Sequence, residues 1–194
     1  MNIIKLTFLV KLTNHYESMK SICSVLVLFC LVCPLFFQDS YAESMPVDEY
    51  KIKVGYLFNF TKFITWSEEK AESFNICILG NDPFGEIIDP IEQRTAFNLP
   101  IKLFRLTVMD KAVHCHIVYV GSNVSAKTIA ASTKNSLTVG EEPEFISQGG
   151  MIAFVKRQDK IKLQINLKLL LQNDLKISAK LLEVVEIVGG DRND

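Results

Sequence analysis

The chain has 194 residues, with 21 Lys plus Arg against 22 Asp plus Glu, 48% apolar residues, 9 Gly and 6 Pro. This near balance of charge argues against a nucleic-acid binder, whose phosphate contacts need clustered cations. The apolar content, with so few Gly and Pro, excludes a disordered or fibrous chain, leaving a compact globular domain.

Residues 22–37 are apolar except for Ser24 and Pro34. This run is short for a bilayer span of about 20 residues and suits the core of a secretory signal. Ser40-Tyr41-Ala42 supplies a small-x-small site, so residues 1–42 read as a signal peptide cleaved after Ala42. Met19 is an alternative start, which would make residues 1–18 an upstream extension of the coding sequence. The expectation is a periplasmic protein in which residues 43–194 form one domain. Only Cys77 and Cys115 then remain outside the leader. They are either buried free thiols or a disulfide. Their segments read as neighbouring strands, which brings their Cα atoms within bridging range, and export favours the bridge.

Along the rest of the chain, Val47, Tyr50, Val54, Leu57, Thr61 and Ile64 recur at helical spacing and predict a helix over residues 46–66. Its extra aromatics, Phe58, Phe60, Phe63 and Trp66, imply packing on more than one side. A β-rich run over 74–80 ends at Gly80-Asn81-Asp82-Pro83. Residues 84–93 show helical spacing through Phe84, Ile87, Ile88 and Ile91, interrupted by Pro90. Strands follow over 101–108, 113–121 and 137–140, with a helix over 125–133 and a helical turn ending at Gln148. The alternation predicts an α/β fold, a single domain with a mixed, largely parallel sheet flanked by helices.

Residues 151–156 and 160–167 flank the polar tip Arg157-Gln158-Asp159 and predict a C-terminal antiparallel hairpin. Ile161, Leu163, Ile165 and Leu167 share one face of its second strand, leaving the other wet or reserved for a partner. Phe154 and Gln164 are candidates for that surface, where an apolar and a neutral residue replace the charges of a solvated strand. Phe154 reads equally as core. Asn166 is a weaker candidate, because it is placed to cap a following helix. Such a surface would serve partner binding or a homodimer. Ile177, Leu181, Val184, Val185 and Val188 predict a C-terminal helix ending before Gly189-Gly190.

The residues offer little chemistry. His114 and His116 flank Cys115 at a spacing that puts both on one strand face, where a metal could sit; no further His follows to complete a site, and ordinary strand histidines are the plainer reading. The loop from Gly80 to Gly85 lies between strand and helix, where α/β folds hold anions, but it has neither a dinucleotide fingerprint nor a P-loop and reads as a tight turn. Glu141, Glu142 and Glu144 read as a solvated acidic turn. No enzyme activity, cofactor or metal is expected.

Five segments in order resemble the YfiR family of small periplasmic regulators (DUF4154). They are Tyr56-Leu57-Phe58-Asn59-Phe60-Thr61-Lys62-Phe63-Ile64-Thr65-Trp66; Ile76-Cys77-Ile78-Leu79-Gly80 with Asp82-Pro83-Phe84-Gly85; and Cys115-His116-Ile117-Val118-Tyr119-Val120. The last two are Leu137-Thr138-Val139-Gly140 with Gly149-Gly150-Met151-Ile152, and Ile165-Asn166-Leu167 with the run from Leu175 to Leu182. The resemblance implies a binding and signalling module rather than an enzyme. Its partner would be an inner-membrane diguanylate cyclase, held inactive through its periplasmic part so that cyclic di-GMP and biofilm formation stay low, or a membrane sensor kinase. Two cysteines allow one bridge, so redox control through a second disulfide is not expected here. A periplasmic small-molecule sensor is the alternative, with a pocket near Phe60, Trp66 or the Gly80 to Gly85 loop.

Overall fold

The computed structural model describes residues 45–67, 71–110, 113–129 and 133–188; the expected signal peptide and its cleavage site lie outside them. Helix α1 (Met45–Phe63) begins with Asp48 in its first turn and ends with Lys62 in its last, each complementing the helix dipole. Leu57 and Phe60 are fully buried, and Tyr50 and Val54 half-buried, on the face that meets the sheet. The helix stops at Phe63, before the expected Trp66. The β-branched pair Ile64–Thr65 (β1) instead extends and pairs antiparallel with Lys176–Ile177 (β9). Phe63 then accepts a hydrogen bond from the Ser178 amide at 2.8 Å, which satisfies one of the helix's terminal carbonyls.

The main sheet contains β2 (Phe74–Leu79), β3 (Thr95–Ala96), β4 (Leu99–Leu106), β5 (Ile117–Val120), β6 (Leu137–Gly140), β7 (Ile152–Arg157), β8 (Lys160–Asn166) and β10 (Glu186–Val188). Its order is β10-β8-β7-β6-β5-β2-β4-β3. The five strands β4-β2-β5-β6-β7 run parallel, whereas β3 is antiparallel to β4, β8 is antiparallel to β7, and β10 is parallel to β8. Every residue of β5 and β6 is buried, as expected for parallel strands covered on both faces. Period-two alternation divides β2 between two cores. Ile76 and Ile78 face α1, while Cys77 and Leu79 face Val118, Ala126 and Ile129 on the other side.

The β2 to β4 crossover is two 3-10 turns, Gly85–Ile87 and Asp89–Gln93, rather than the expected helix. The Asp82 carboxylate accepts from the amides of Phe84 and Gly85, and Pro90 opens the second turn, so a continuous helix cannot propagate. The expected apolar face survives, with Phe84, Ile88 and Ile91 buried. Short helices α2 (Ala126–Ile129), α3 (Leu167–Gln172) and α4 (Ala179–Leu182) complete the layers.

The expected C-terminal helix is not formed as one element. Ser178 caps α4, which lasts four residues, and Glu186–Val188 becomes β10. β-Branched residues at 184, 185, 187 and 188 favour the extended state, and the outer edge of β8 offers the hydrogen bonds that complete it. The hairpin itself matches expectation. Gln158 and Asp159 both take positive φ (48° and 59°), the two-residue turn that fits the twist of β7 and β8.

Phe145 lies between Gly140 and Gly150, and a Cβ on either glycine would be driven into its ring. Gly150→Ala is therefore expected to cost about 1 to 3 kcal/mol through overpacking. Chemical denaturation measures the loss, and Phe145→Leu added to the same chain restores part of it by freeing space.

Candidate functional site

The parallel strands run in the order second, first, third, fourth, fifth, so the chain reverses direction across the sheet between β2 and β5. In open α/β sheets, ligands bind in the crevice outside the carboxyl ends of the strands at that reversal. Here the two loops meet each other. The Asn123 side chain accepts from the Asn81 amide at 2.7 Å, Gly121 donates to the Leu79 carbonyl at 2.8 Å, and a Cβ on Gly121 would strike the Asn81 backbone. Gly80, at φ +83°, is held against Asn123 and Val124, so glycine is required there by both conformation and space. Arg105 locks the rest of the loop, donating to Asp82 and Asp89 and to the Gly85 carbonyl, each at 2.7 Å. The guanidinium is thus held by two carboxylates of the chain itself. A groove of about 400 Å³ beside it is lined by Leu79, Val108, Asn123 and Thr128.

A second cluster sits at the carboxyl end of β6. Lys53 on α1 is only 2% exposed and carries its Nζ between Glu49, at 2.6 Å, and Glu141. The Tyr119 hydroxyl donates to the other oxygen of Glu141, and the Lys53 ammonium lies 4.5 Å from the centre of the Tyr50 ring. Burial lowers the affinity of Lys53 for its proton, but the bonds to Glu141 and Glu49 outweigh this, so its pKa lies above the ordinary value. Burial first, then the Glu141 charge, pushes the Tyr119 phenol far up. Burial likewise raises Tyr50. Sequence reasoning missed this cluster and read Glu141 as solvated. A signal was present: Lys53 interrupts an apolar helix face one turn after Glu49.

The sequence-predicted site residues are dispersed. Cys77 and Cys115 are bridged, with Cα atoms 5.8 Å apart, in the core facing α2. His116 stacks on Phe74, 4.4 Å between centroids, and its Nδ1 accepts from the Asn75 amide at 3.0 Å, a structural role. Among the described residues, no group of three His, Cys, Asp or Glu is arranged to hold a metal. Phe60 is 1% exposed and packed within the core. Trp66 is half-buried, donates to the His116 carbonyl at 2.9 Å, and lines a groove of about 600 Å³ with Leu171, Asp174 and Lys176.

Phe154 does not face outward: it is 3% exposed and packs on Phe60 and Tyr56, 6.4 and 5.9 Å between centroids. Of the proposed partner surface, Gln164 remains accessible, half-buried, donating its amide to Glu186 of β10 at 3.1 Å. Asn166 caps α3, its side chain accepting from the Leu169 amide at 3.0 Å. The edge beside Gln164 carries exposed Val184 and Ile187.

The described residues form an α/β domain with a mixed, mostly parallel eight-stranded sheet whose loops at the chain reversal bind each other. The chain belongs to the YfiR/HmsC-like family (DUF4154), whose model matches residues 50–186. No curated protein is matched by its sequence.

Proposed function

We propose that this chain is an exported regulator that binds the periplasmic part of an inner-membrane diguanylate cyclase and holds it inactive. Membership of the YfiR/HmsC-like family across residues 50–186 carries this reading, since that family is regulatory rather than catalytic. The disulfide between Cys77 and Cys115 accords with an oxidising compartment. Among the described residues, no helix is long and apolar enough to cross a membrane, so the proposed action reaches the cytoplasm through the partner.

The mechanism is linkage. A domain outside the membrane changes an active site inside it only by binding one conformation of the spanning partner better than the other. A shift from mostly on to mostly off needs a differential affinity of about 5.5 kcal/mol. The surface proposed for that contact is the β8–β10 edge, where Gln164, Glu186 and exposed Ile187 lie together at the last strand of the sheet among the described residues.

Deleting the gene is expected to raise cyclic di-GMP severalfold, and deleting the cyclase as well is expected to abolish the rise. Ile187→Glu, on an exposed position, should reproduce the deletion while leaving the melting temperature nearly unchanged. An unchanged level in the single deletion, with the cyclase expressed, would sink the repressor reading in favour of a ligand sensor.

A further inference from the structure

The opposite end of the molecule, at the amino ends of β2 and β5, carries a different surface. Phe58 of α1 lies between two cations, with Lys62 Nζ 4.6 Å and Arg94 Cζ 4.5 Å from its ring centre. Lys180 stands 5.9 Å from the ring of Phe63, one residue further along the helix from Lys62. All three cations are exposed, and among the described residues none is paired with a carboxylate. Lys62 and Lys180 each stand in the last turn of a helix, α1 and α4, whose carboxyl end they complement, whereas Arg94 belongs to another segment and has no such explanation.

Aromatic rings continue this surface. Phe97 and Asn98 form the two-residue tip of the β3–β4 hairpin, at φ +53° and +63° as such a turn requires, and the Phe97 side chain is left 49% exposed there. Its ring reaches Trp66, 5.9 Å between centroids, and Trp66 adjoins the groove that contains exposed Leu171 and Lys176.

We propose that this end of the molecule rests on an anionic phospholipid surface, with Lys62, Arg94 and Lys180 facing the headgroup phosphates and Phe97 entering the interfacial layer beside Trp66. The cations come from α1, the approach to the β3–β4 hairpin, and α4. They are spread over the surface rather than converging on a point, which suits a planar array of phosphates better than one bound anion. Aromatic rings between cations are the composition found at bilayer interfaces. The chain as a whole is slightly acidic, so attraction to an anionic surface has to come from one face. The contact adds to the proposed regulatory role without depending on it, and would keep the regulator in the plane where a membrane partner is found.

Trp66 is the only tryptophan in the chain, so its fluorescence reports from the site itself. The full chain, as recovered from cells, is mixed with vesicles of equal parts phosphatidylglycerol and phosphatidylcholine, and with vesicles of phosphatidylcholine alone. At low ionic strength the anionic vesicles should co-sediment the protein and shift Trp66 emission to the blue. Raising the salt to about 0.5 M should weaken binding at least about tenfold, because the contacts are exposed and screened. Lys62→Glu combined with Arg94→Glu and Lys180→Glu should abolish co-sedimentation, and Phe97→Ser should remove most of the emission shift, both with an unchanged circular dichroism spectrum.

Equal retention by the two vesicle types, retention unaffected by salt, or wild-type binding by Phe97→Ser and the triple variant would overturn the proposal. So would an emission shift produced by poly-glutamate but not by anionic vesicles, which would assign the surface to an acidic protein segment. If the triple variant does not fold, the salt series and Phe97→Ser decide the question. No cyclase is present in the assay, so this proposal and the regulatory one fail separately.

Discussion

Lys53→Met is expected to lower the unfolding free energy by about 3 kcal/mol, and Glu141→Gln added to the same chain to recover most of that loss. Lys53 is almost entirely enclosed and holds two carboxylates, so removing the ammonium leaves Glu141 beside a buried phenol with no counter-charge. Breaking one partner of a buried pair typically costs about 3 to 5 kcal/mol, because the surviving charge is uncompensated. The lower end applies here, since Glu141 is 22% and Glu49 26% exposed, and both can draw water. In the double variant the neutral amide still accepts from the Tyr119 hydroxyl while methionine fills the lysine stem's volume. Denaturant titration of the wild type, both singles and the double gives the coupling directly. Additive losses would mean that the pair is not a unit.

The same cluster sets an alkaline limit. Lys53 and Tyr119 both hold their protons more tightly in the folded chain than in the unfolded one. Their contribution is complete below about pH 10, near the unfolded values, and is lost as the pH rises above it, because the unfolded chain then releases protons that the folded chain retains. The melting temperature should fall from about pH 10 upward, and less steeply in Tyr119→Phe. A flat profile across that range would show the cluster to be open to solvent.

Reduction of the Cys77–Cys115 bridge, or Cys77→Ser with Cys115→Ser, is expected to lower stability by about 3 to 4 kcal/mol, the chain-entropy value for a 38-residue separation. In a domain of this size that corresponds to a melting temperature lower by about 10 °C. The sulfurs are buried, so alkylation of the native, air-oxidised protein should label neither cysteine and alkylation after denaturing reduction should label both. Two native thiols that react would remove the bridge from the account. The expected effect is on stability alone. Reduction that altered vesicle binding or cyclase repression at temperatures where the fold persists would show that the bridge does more than hold β2 to the segment entering β5.

Short-range pattern alone was enough for most of the fold. The runs that became β2, β5 and β6 are short, mostly apolar stretches that each run into a glycine (Gly80, Gly121, Gly140), and such runs have few alternatives to a strand covered on both faces. The hairpin tip and the alternation of β8 were equally local. The pairing of Cys77 with Cys115 followed from strand adjacency, since β2 and β5 are neighbours.

Tertiary structure decided what depends on distant partners. The apolar spacing of residues 177–188 is compatible with a helix, and only the open edge of β8 turned its end into β10. Phe154 could have faced either way until α1 placed Phe60 and Tyr56 over it. Lys53 is buried because Glu141, 88 residues away, meets it across the end of the sheet. A charge is tolerated in an interior only where counter-charges and hydrogen bonds converge on it, and that convergence belongs to the folded chain rather than to any stretch of its sequence.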